Sequence, residues 1–304
     1  MTEKELLSLL RASDHKPLWE LAHSMTQQSA SKKFDFCAII NARSGCCSED
    51  CKWCAQSAHH ATGCDVFGFV GSDACLKAAQ DAEKNRVRRI GIVTSGRGQS
   101  EKQIDELCAA IREICAKSNI AVCASLGIVS LEGLKRLKEA GLKRLHCNIE
   151  TAPSKFPTLC TTHTTAEKIA TIKAARSIGL EVCSGGIIGM GESDEELVEF
   201  AFALKEIAPD SIPVNILDPI PGTPLGSLPF LDMPKILDAI AVLRIVNPKT
   251  ALRFAGGRRK LSDADAAKCI YVGINAGIQG PLLTTPGSDY GDDRQLAIEA
   301  GYEV

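Results

Sequence analysis

Short apolar runs rich in Val, Ile and Cys alternate along this chain with longer segments of helical period, and that alternation limits the fold more than any other feature. Eight runs can be marked, beginning at Phe34 (FDFCAIIN), Arg89 (RIGIVTS), Ile120 (IAVCASLG), Arg144 (RLHCNIE), Glu181 (EVCSGGIIGM), Ser211 (SIPVNIL), Ala251 (ALRFAGG) and Ala276 (AGIQG). Helical patterns lie between them at residues 101–117, 130–140, 166–178 and 193–208, several opened by a Ser or Thr that can cap the first turn. Runs so continuously apolar suit strands buried on both faces, as in parallel sheets with helical crossovers. Eight β/α units predict an α/β fold, a TIM-type (β/α)8 parallel barrel with an N-terminal helical extension; an open doubly wound sheet gives the same strand pattern and stays as the alternative.

The 304 residues suit one domain, with a helical extension over 1–30 and the barrel over 31–290. The Pro-rich stretch 219–229 reads as a long loop after the sixth strand, at the end of the barrel where sites are built. Residues 1–11 intersperse charges with leucines, which predicts an amphipathic helix rather than a secretion signal. No apolar run approaches the roughly 18 residues of a membrane-spanning helix, so a cytoplasmic chain with no membrane partner is expected. A net charge of −2 offers no basic footprint for nucleic acid.

Fourteen cysteines in a chain of this length call for metal ligation or simple packing rather than disulfide staples. Cys75, Cys108, Cys115 and Cys269 occupy apolar positions of helical patterns, where a thiol serves as a small hydrophobe. The segment NARSGCCSEDCKWC at 41–54 differs: Cys47, Cys51 and Cys54 stand at C-x3-C-x2-C spacing in a polar loop after the first strand. Thiolates from one tight loop can bind three irons of a cubane, and the lack of a fourth cysteine nearby in sequence leaves one iron open. A structural zinc site would close with four ligands, for which His59 or His60 could be recruited. Cys46 could shift the assignment by one, but only Cys47 gives the three-residue gap to Cys51.

This triplet, with Trp53 before its last cysteine, resembles the signature of the radical S-adenosylmethionine superfamily. Over residues 34–287 the chain further resembles the biotin synthase family, through CAQS at 54–57, CSGGIIGMGE at 183–192, GTPL at 222–225 and LLTTPG at 282–287. The resemblance implies a [4Fe-4S] cluster on Cys47, Cys51 and Cys54 that chelates S-adenosylmethionine, and reductive formation of a 5′-deoxyadenosyl radical. It implies sulfur insertion into dethiobiotin, with sulfur drawn from an auxiliary iron-sulfur cluster, an electron donor such as flavodoxin or ferredoxin, and a homodimer. Trp53, Gln56 and Glu150 would contact S-adenosylmethionine, Glu150 at the ribose, and Gly185, Ile187 and Gly189 would form the adenine wall. Asn148 and Asn215 would meet the ureido ring of dethiobiotin, and Arg89, Thr284 and Thr285 its carboxylate.

For the auxiliary cluster the resemblance carries over to Cys123, Cys183 and Arg253, while Gly91 stands where the family has its remaining cysteine. Cys37 is the replacement candidate: strands one, three, five and seven feed one layer of a barrel interior, and these are the strands of Cys37, Cys123, Cys183 and Arg253. A [2Fe-2S] cluster or a four-iron variant would then sit there, with Arg253 as ligand or as hydrogen-bond donor to sulfide. Arg43 and His146 also depart from the family, which has Lys and often Asn at those places. The competing readings are a related radical barrel enzyme, of the hydrogenase-maturase or amino-acid-mutase kind, and a non-enzymatic electron carrier or zinc module. A phosphate-loop reading of 185–189 fails for want of Lys and Ser/Thr.

Overall fold

The computed structural model describes residues 1–284, 287 and 291–304. Its strands are β1 (Asp35–Arg43), β2 (Arg89–Thr94), β3 (Ala121–Ser125), β4 (Arg144–His146), β5 (Glu181–Cys183), β6 (Gly186–Ile188), β7 (Ser211–Ile216), β8 (Ala251–Phe254) and β9 (Ala276–Gln279). All pair in parallel, in the order β5-β4-β3-β2-β1-β9-β8-β7-β6, and a β5–β7 pairing closes the ring. β5 and β6 are two halves of one stave, so the barrel has the eight staves that the apolar runs predict.

The break in that stave lies where the neighbouring stave draws close. The backbone of Glu150, on the neighbouring stave, bridges to Gly186 beside the break: its N–H donates to the Gly185 carbonyl at 3.0 Å, and its carbonyl accepts from the Ile187 N–H at 2.8 Å. A Cβ on Gly186 would stand 2.1 Å from the Glu150 oxygen, so only glycine lets the two chains approach. Glu150 itself takes a left-handed φ of 70°, a strain that places its side chain at the mouth.

Helices α1 (Glu3–Leu10) and α2 (Lys16–Ser29) form the N-terminal extension. The barrel helices follow: α3 (Ser72–Lys84), α4 (Glu101–Lys117), α5 (Leu131–Ala140), α6 (Phe156–Leu159), α7 (Thr165–Ser177), α8 (Asp194–Ile207), α9 (Met233–Val246), α10 (Asp263–Val272) and α11 (Asp292–Glu299). The Ser and Thr caps expected from sequence are made, with reciprocal boxes at Ser100–Gln103, Thr164–Glu167 and Ser193–Glu196. The extension packs α1 on α8 and α2 on α9 and α10, which explains why α9 is buried nearly all round. Cys75, Cys108 and Cys269 lie in the core, but Cys115 is exposed: near the end of α4 its face has turned outward, against the packing role expected of it. No described helix is long and apolar enough to cross a membrane.

Candidate active site

The loop between β1 and α3 folds back on itself at the C-terminal mouth of the barrel. Cys47 and Ser57 bridge as in a parallel ladder, with the Cys47 N–H donating to Gln56 and the Ala58 N–H donating to Cys47. The buried Gln56 amide oxygen accepts from the Ser44 hydroxyl and the Gly45 N–H, both at 3.2 Å, which braces the turn. Cys46, at φ 51°, is exposed, whereas Cys47, Cys51 and Cys54 line one cavity of about 210 Å³. Burial raises the Cys54 thiol to about 11, with the Cys47 charge adding, while the Gln56 and Ser57 N–H groups point at its sulfur and favour thiolate. Burial also pushes Cys51 far up, so both wait as neutral thiols for a metal to displace their protons. Three soft donors from one loop, one of them supported by backbone N–H groups, fit an iron-sulfur cluster with a face open to the cavity. His59 and His60 do not complete a four-ligand zinc set: their Nε2 atoms are taken by the carbonyls of Ser48 and Cys51, at 3.0 and 3.1 Å.

A second cavity of about 350 Å³ descends from the first into the barrel, and Trp53, Gln56, Glu150 and Lys168 border both. Asn148 and Asn215 line it, each with its amide oriented by backbone. Asn148 accepts from the Gly185 N–H at 3.1 Å, and Asn215 accepts from Gly256 at 2.9 Å while donating to the Gly186 carbonyl at 3.0 Å. Ile187 and Thr284 also face this cavity. Gly185 and Gly189 do not. A Cβ at Gly185 would meet the Pro213 carbonyl at 2.2 Å, and Gly189 lines a separate groove beside α8 and α9, so of the expected adenine wall only Ile187 is in place. Thr285 lies outside the described residues. The expected loop at 219–229 contributes Ile220 to the wall and touches the cysteine loop, where the Leu225 N–H donates to Lys52.

Below the cavity the barrel interior holds a layer of thiols over a layer of charge. Cys37, Cys123, Cys183 and Arg253 are each buried, and the Arg253 guanidinium donates to Cys37 Sγ at 3.2 Å. The thiols are close enough to sense one another's charge; burial raises Cys123 to about 12, opposed by Arg144 and Arg89, and Cys183 to about 11, opposed by Arg253 and Arg144. Arg253 also donates to the carbonyls of Asp35 and Gly277 and to Ser211, and pairs with the Asp35 carboxylate. Burial opposes its charge, but Cys37 and Asp35 more than restore it, which suits a hydrogen-bond donor rather than a metal ligand. Arg89 does not reach the cavity. It opens β2 at the opposite end of the barrel and pairs with Glu181 at 3.1 Å, because period-two patterning does not say at which end of a strand a residue serves. Arg144, at 2.8 Å from Glu181 and 4.0 Å from Asp35, completes this floor. Three arginines against two carboxylates leave one positive charge beneath the thiols, a complement to an anionic iron-sulfur cluster.

Sequence reasoning missed Arg144, which opens β4 at the head of a run otherwise read as apolar. It also missed Lys168, whose ammonium reaches the cavity from α7 and stands 4.0 Å from Glu150. Burial raises the Glu150 carboxyl, and Lys168 partly offsets that. Cys160 and His163 were missed too, although their C-x2-H spacing is a ligand signal; the structure brings them beside Cys51.

Comparison with known proteins follows this geometry. Residues 42–204 match the Radical SAM superfamily model and residues 213–303 that of the Biotin and Thiamin Synthesis associated domain. A biotin synthase from Porphyromonas gingivalis is 49% identical over 303 residues, covering 100% of this chain and 92% of that protein. The chain belongs to the biotin synthase family. It is therefore a radical S-adenosylmethionine enzyme, as the cysteine loop indicated. A second member of the family, from Clostridium botulinum, is 40% identical over 304 residues, covering 100% of this chain and 95% of that protein.

Among solved structures, methylornithine synthase superposes with a TM-score of 0.82 at 16% identity, covering 100% of this chain and 94% of that one. The FeFe-hydrogenase maturase HydG from Carboxydothermus hydrogenoformans gives 0.84 at 15%, covering 99% and 75%. These two share the fold. Gly91 pairs with Ile39 and Cys123, and a Cβ there would meet Ile39 Cγ2 at 3.3 Å, so Ile39 takes up the space beside it.

Proposed function

We propose that this chain inserts sulfur into dethiobiotin to form biotin, using a [4Fe-4S] cluster held by Cys47, Cys51 and Cys54 and an auxiliary iron-sulfur cluster held by Cys37, Cys123 and Cys183. One observation carries the reading: two sets of three thiols lie at different depths of one barrel, with the substrate-sized cavity between them. When bound, the outer cluster and S-adenosylmethionine supply a radical able to take hydrogen from unactivated carbon, and the inner cluster supplies sulfur.

The chain's own groups position and shield. Glu150, held by its strained backbone and by Lys168, accepts from the ribose hydroxyls, and Trp53, Gln56 and Ile187 wall the cofactor. The preset amides of Asn148 and Asn215 each keep hydrogen-bonding capacity for the ureido ring, and Thr284 takes the carboxylate end. Arg253, which donates to Cys37 Sγ, would hydrogen-bond the inner cluster's sulfur, and the charge of Arg144 near Cys123 and Cys183 would help to balance it. The walls keep hydrogen donors other than the substrate away from the radical. The enzyme works in the cytoplasm as a homodimer, and flavodoxin or ferredoxin delivers its electron.

Anaerobic reconstitution with iron counting and Mössbauer spectroscopy tests this on the wild type and on a Cys47→Ala, Cys51→Ala, Cys54→Ala variant. The variant should keep one cluster, and the wild type should make biotin from dethiobiotin. A variant empty of iron removes the sulfur donor and leaves a single-cluster radical enzyme.

A further inference from the structure

Beside Cys51, at the edge of the cavity that His163 also lines, the structure gathers a second set of metal donors that shares only Cys51 with the cluster loop. Cys51 Sγ lies 3.6 Å from Cys160 Sγ, Cys160 Sγ lies 3.3 and 4.0 Å from Nδ1 and Nε2 of His163, and one donor atom of each residue falls within 4.8 Å of the others. A tetrahedral zinc site with Zn–S near 2.3 Å and Zn–N near 2.0 Å has S···S edges of about 3.8 Å and S···N edges of about 3.5 Å. The S···S spacing already approximates its edge, and Nε2, at 4.0 Å from Cys160 Sγ, would close in by about 0.5 Å.

The set is fixed rather than fortuitous. Asp50 accepts from the Thr161 and Thr162 N–H groups at 2.9 and 3.3 Å, and the Lys52 N–H donates to the Leu159 carbonyl, so the segment after α6 is zipped to the cysteine loop on both sides of Cys51. Glu49, buried and 2.6 Å from His163 Nδ1, holds that nitrogen and leaves Nε2, 4.0 Å from Cys160 Sγ, as the ligating atom, the arrangement found behind metal-bound histidines.

We propose that the chain without its cluster holds one thiophilic divalent cation, zinc by its donor chemistry, on Cys51, Cys160 and His163, and that this cation and the [4Fe-4S] cluster exclude each other because both need Cys51. The exclusion rests on the assignment of Cys51 to the cluster; the cation site does not. The full-length chain, freed of iron and kept anaerobic, is titrated with cobalt(II), and zinc is then used to displace it.

A Cys47→Ala, Cys54→Ala variant should still bind one equivalent, with tetrahedral cobalt bands and thiolate charge-transfer absorption. In that background Cys160→Ser and His163→Gln should each weaken binding more than about 100-fold, and Glu49→Gln by about 10- to 100-fold. Circular dichroism of each variant separates lost binding from lost folding; for one that misfolds, zinc-edge X-ray absorption of the double variant counts two sulfurs and one nitrogen directly. Loss of the site in the double variant would put the cation on the three loop cysteines, and unchanged affinity in both Cys160→Ser and His163→Gln would put it on thiols elsewhere in the chain; either result overturns the proposal. Wild type preloaded with zinc should take up about one cluster less on reconstitution, and Cys160→Ser should relieve that block. Full cluster uptake by the zinc-loaded wild type would overturn the exclusion. Cobalt binding by a chain that never loads iron at Cys51 would instead sink the cluster assignment while leaving the cation site standing.

Discussion

His146 shows how one interior side chain can carry a pH dependence. Burial, reinforced by the charges of Arg144, Arg253 and Arg89, lowers its pKa to about 3. The unfolded chain titrates its histidines near 6.5, so between these values it holds a proton that the folded chain rejects. Stability should therefore be full above pH 6.5 and fall as the pH drops toward 3, by up to about 1.4 kcal/mol per unit. His146 borders the cavity, where water tempers the effect, so a loss of about 1 kcal/mol between pH 6.5 and 5.5 is expected. Urea midpoints of the iron-free chain should drift over that range, and His146→Asn should flatten the drift; an equal drift in both would assign it to other groups. Cys37 makes a sharper test. Its thiol touches Arg253 and its charge is felt by Cys123 and Cys183, so Cys37→Ala should cost the inner cluster its iron while the outer one loads normally. Two full clusters in that variant would remove Cys37 from the ligands.

Among the elements, α4 was legible to the residue, and β4, β8 and β9 began where the apolar runs began. Those segments are decided locally, by a cap, a period and a breaker. The fifth run was read as one strand and is two, with the interruption where Glu150 on a neighbouring stave draws close. Gly186→Ala places a Cβ against that carbonyl and should lower stability by about 2 to 4 kcal/mol, measurable as a reduced urea midpoint at unchanged slope. Arg244 ties α9 to the start of β9 in the same long-range way. It is fully buried and donates to the carbonyls of Gly273, Pro248 and Thr250 and to Asn275. Arg244→Met strips those acceptors of partners and should cost about 3 kcal/mol or more. Lys168 on α7 belongs to the site: Lys168→Met leaves Glu150 buried without its cation, so KM for S-adenosylmethionine should rise about tenfold or more and the melting temperature should fall.

Across the whole molecule, what sequence made legible was the barrel, the cysteine loop and the inner thiols. What it hid was everything formed by chains meeting from far apart: the arginine floor, the second donor set beside Cys51, and the position of Arg89 away from the cavity. Charge across the barrel gives a global prediction. Loading iron satisfies neutralised thiols and the surplus cation together, so the holoenzyme should melt at least about 5 °C above the iron-free chain by scanning calorimetry under anaerobic conditions. Equal melting points would mean that the inner layer is already at rest without metal.

The ion-paired floor of Arg89, Arg144 and Arg253 with Asp35 and Glu181 has one more consequence. It turns the barrel into a vessel with a single neck. Anything bound for the inner thiols must travel through the space where dethiobiotin would lie, so replenishing the sulfur store and consuming it cannot happen at once. The catalyst and its resupply machinery must take turns at one doorway.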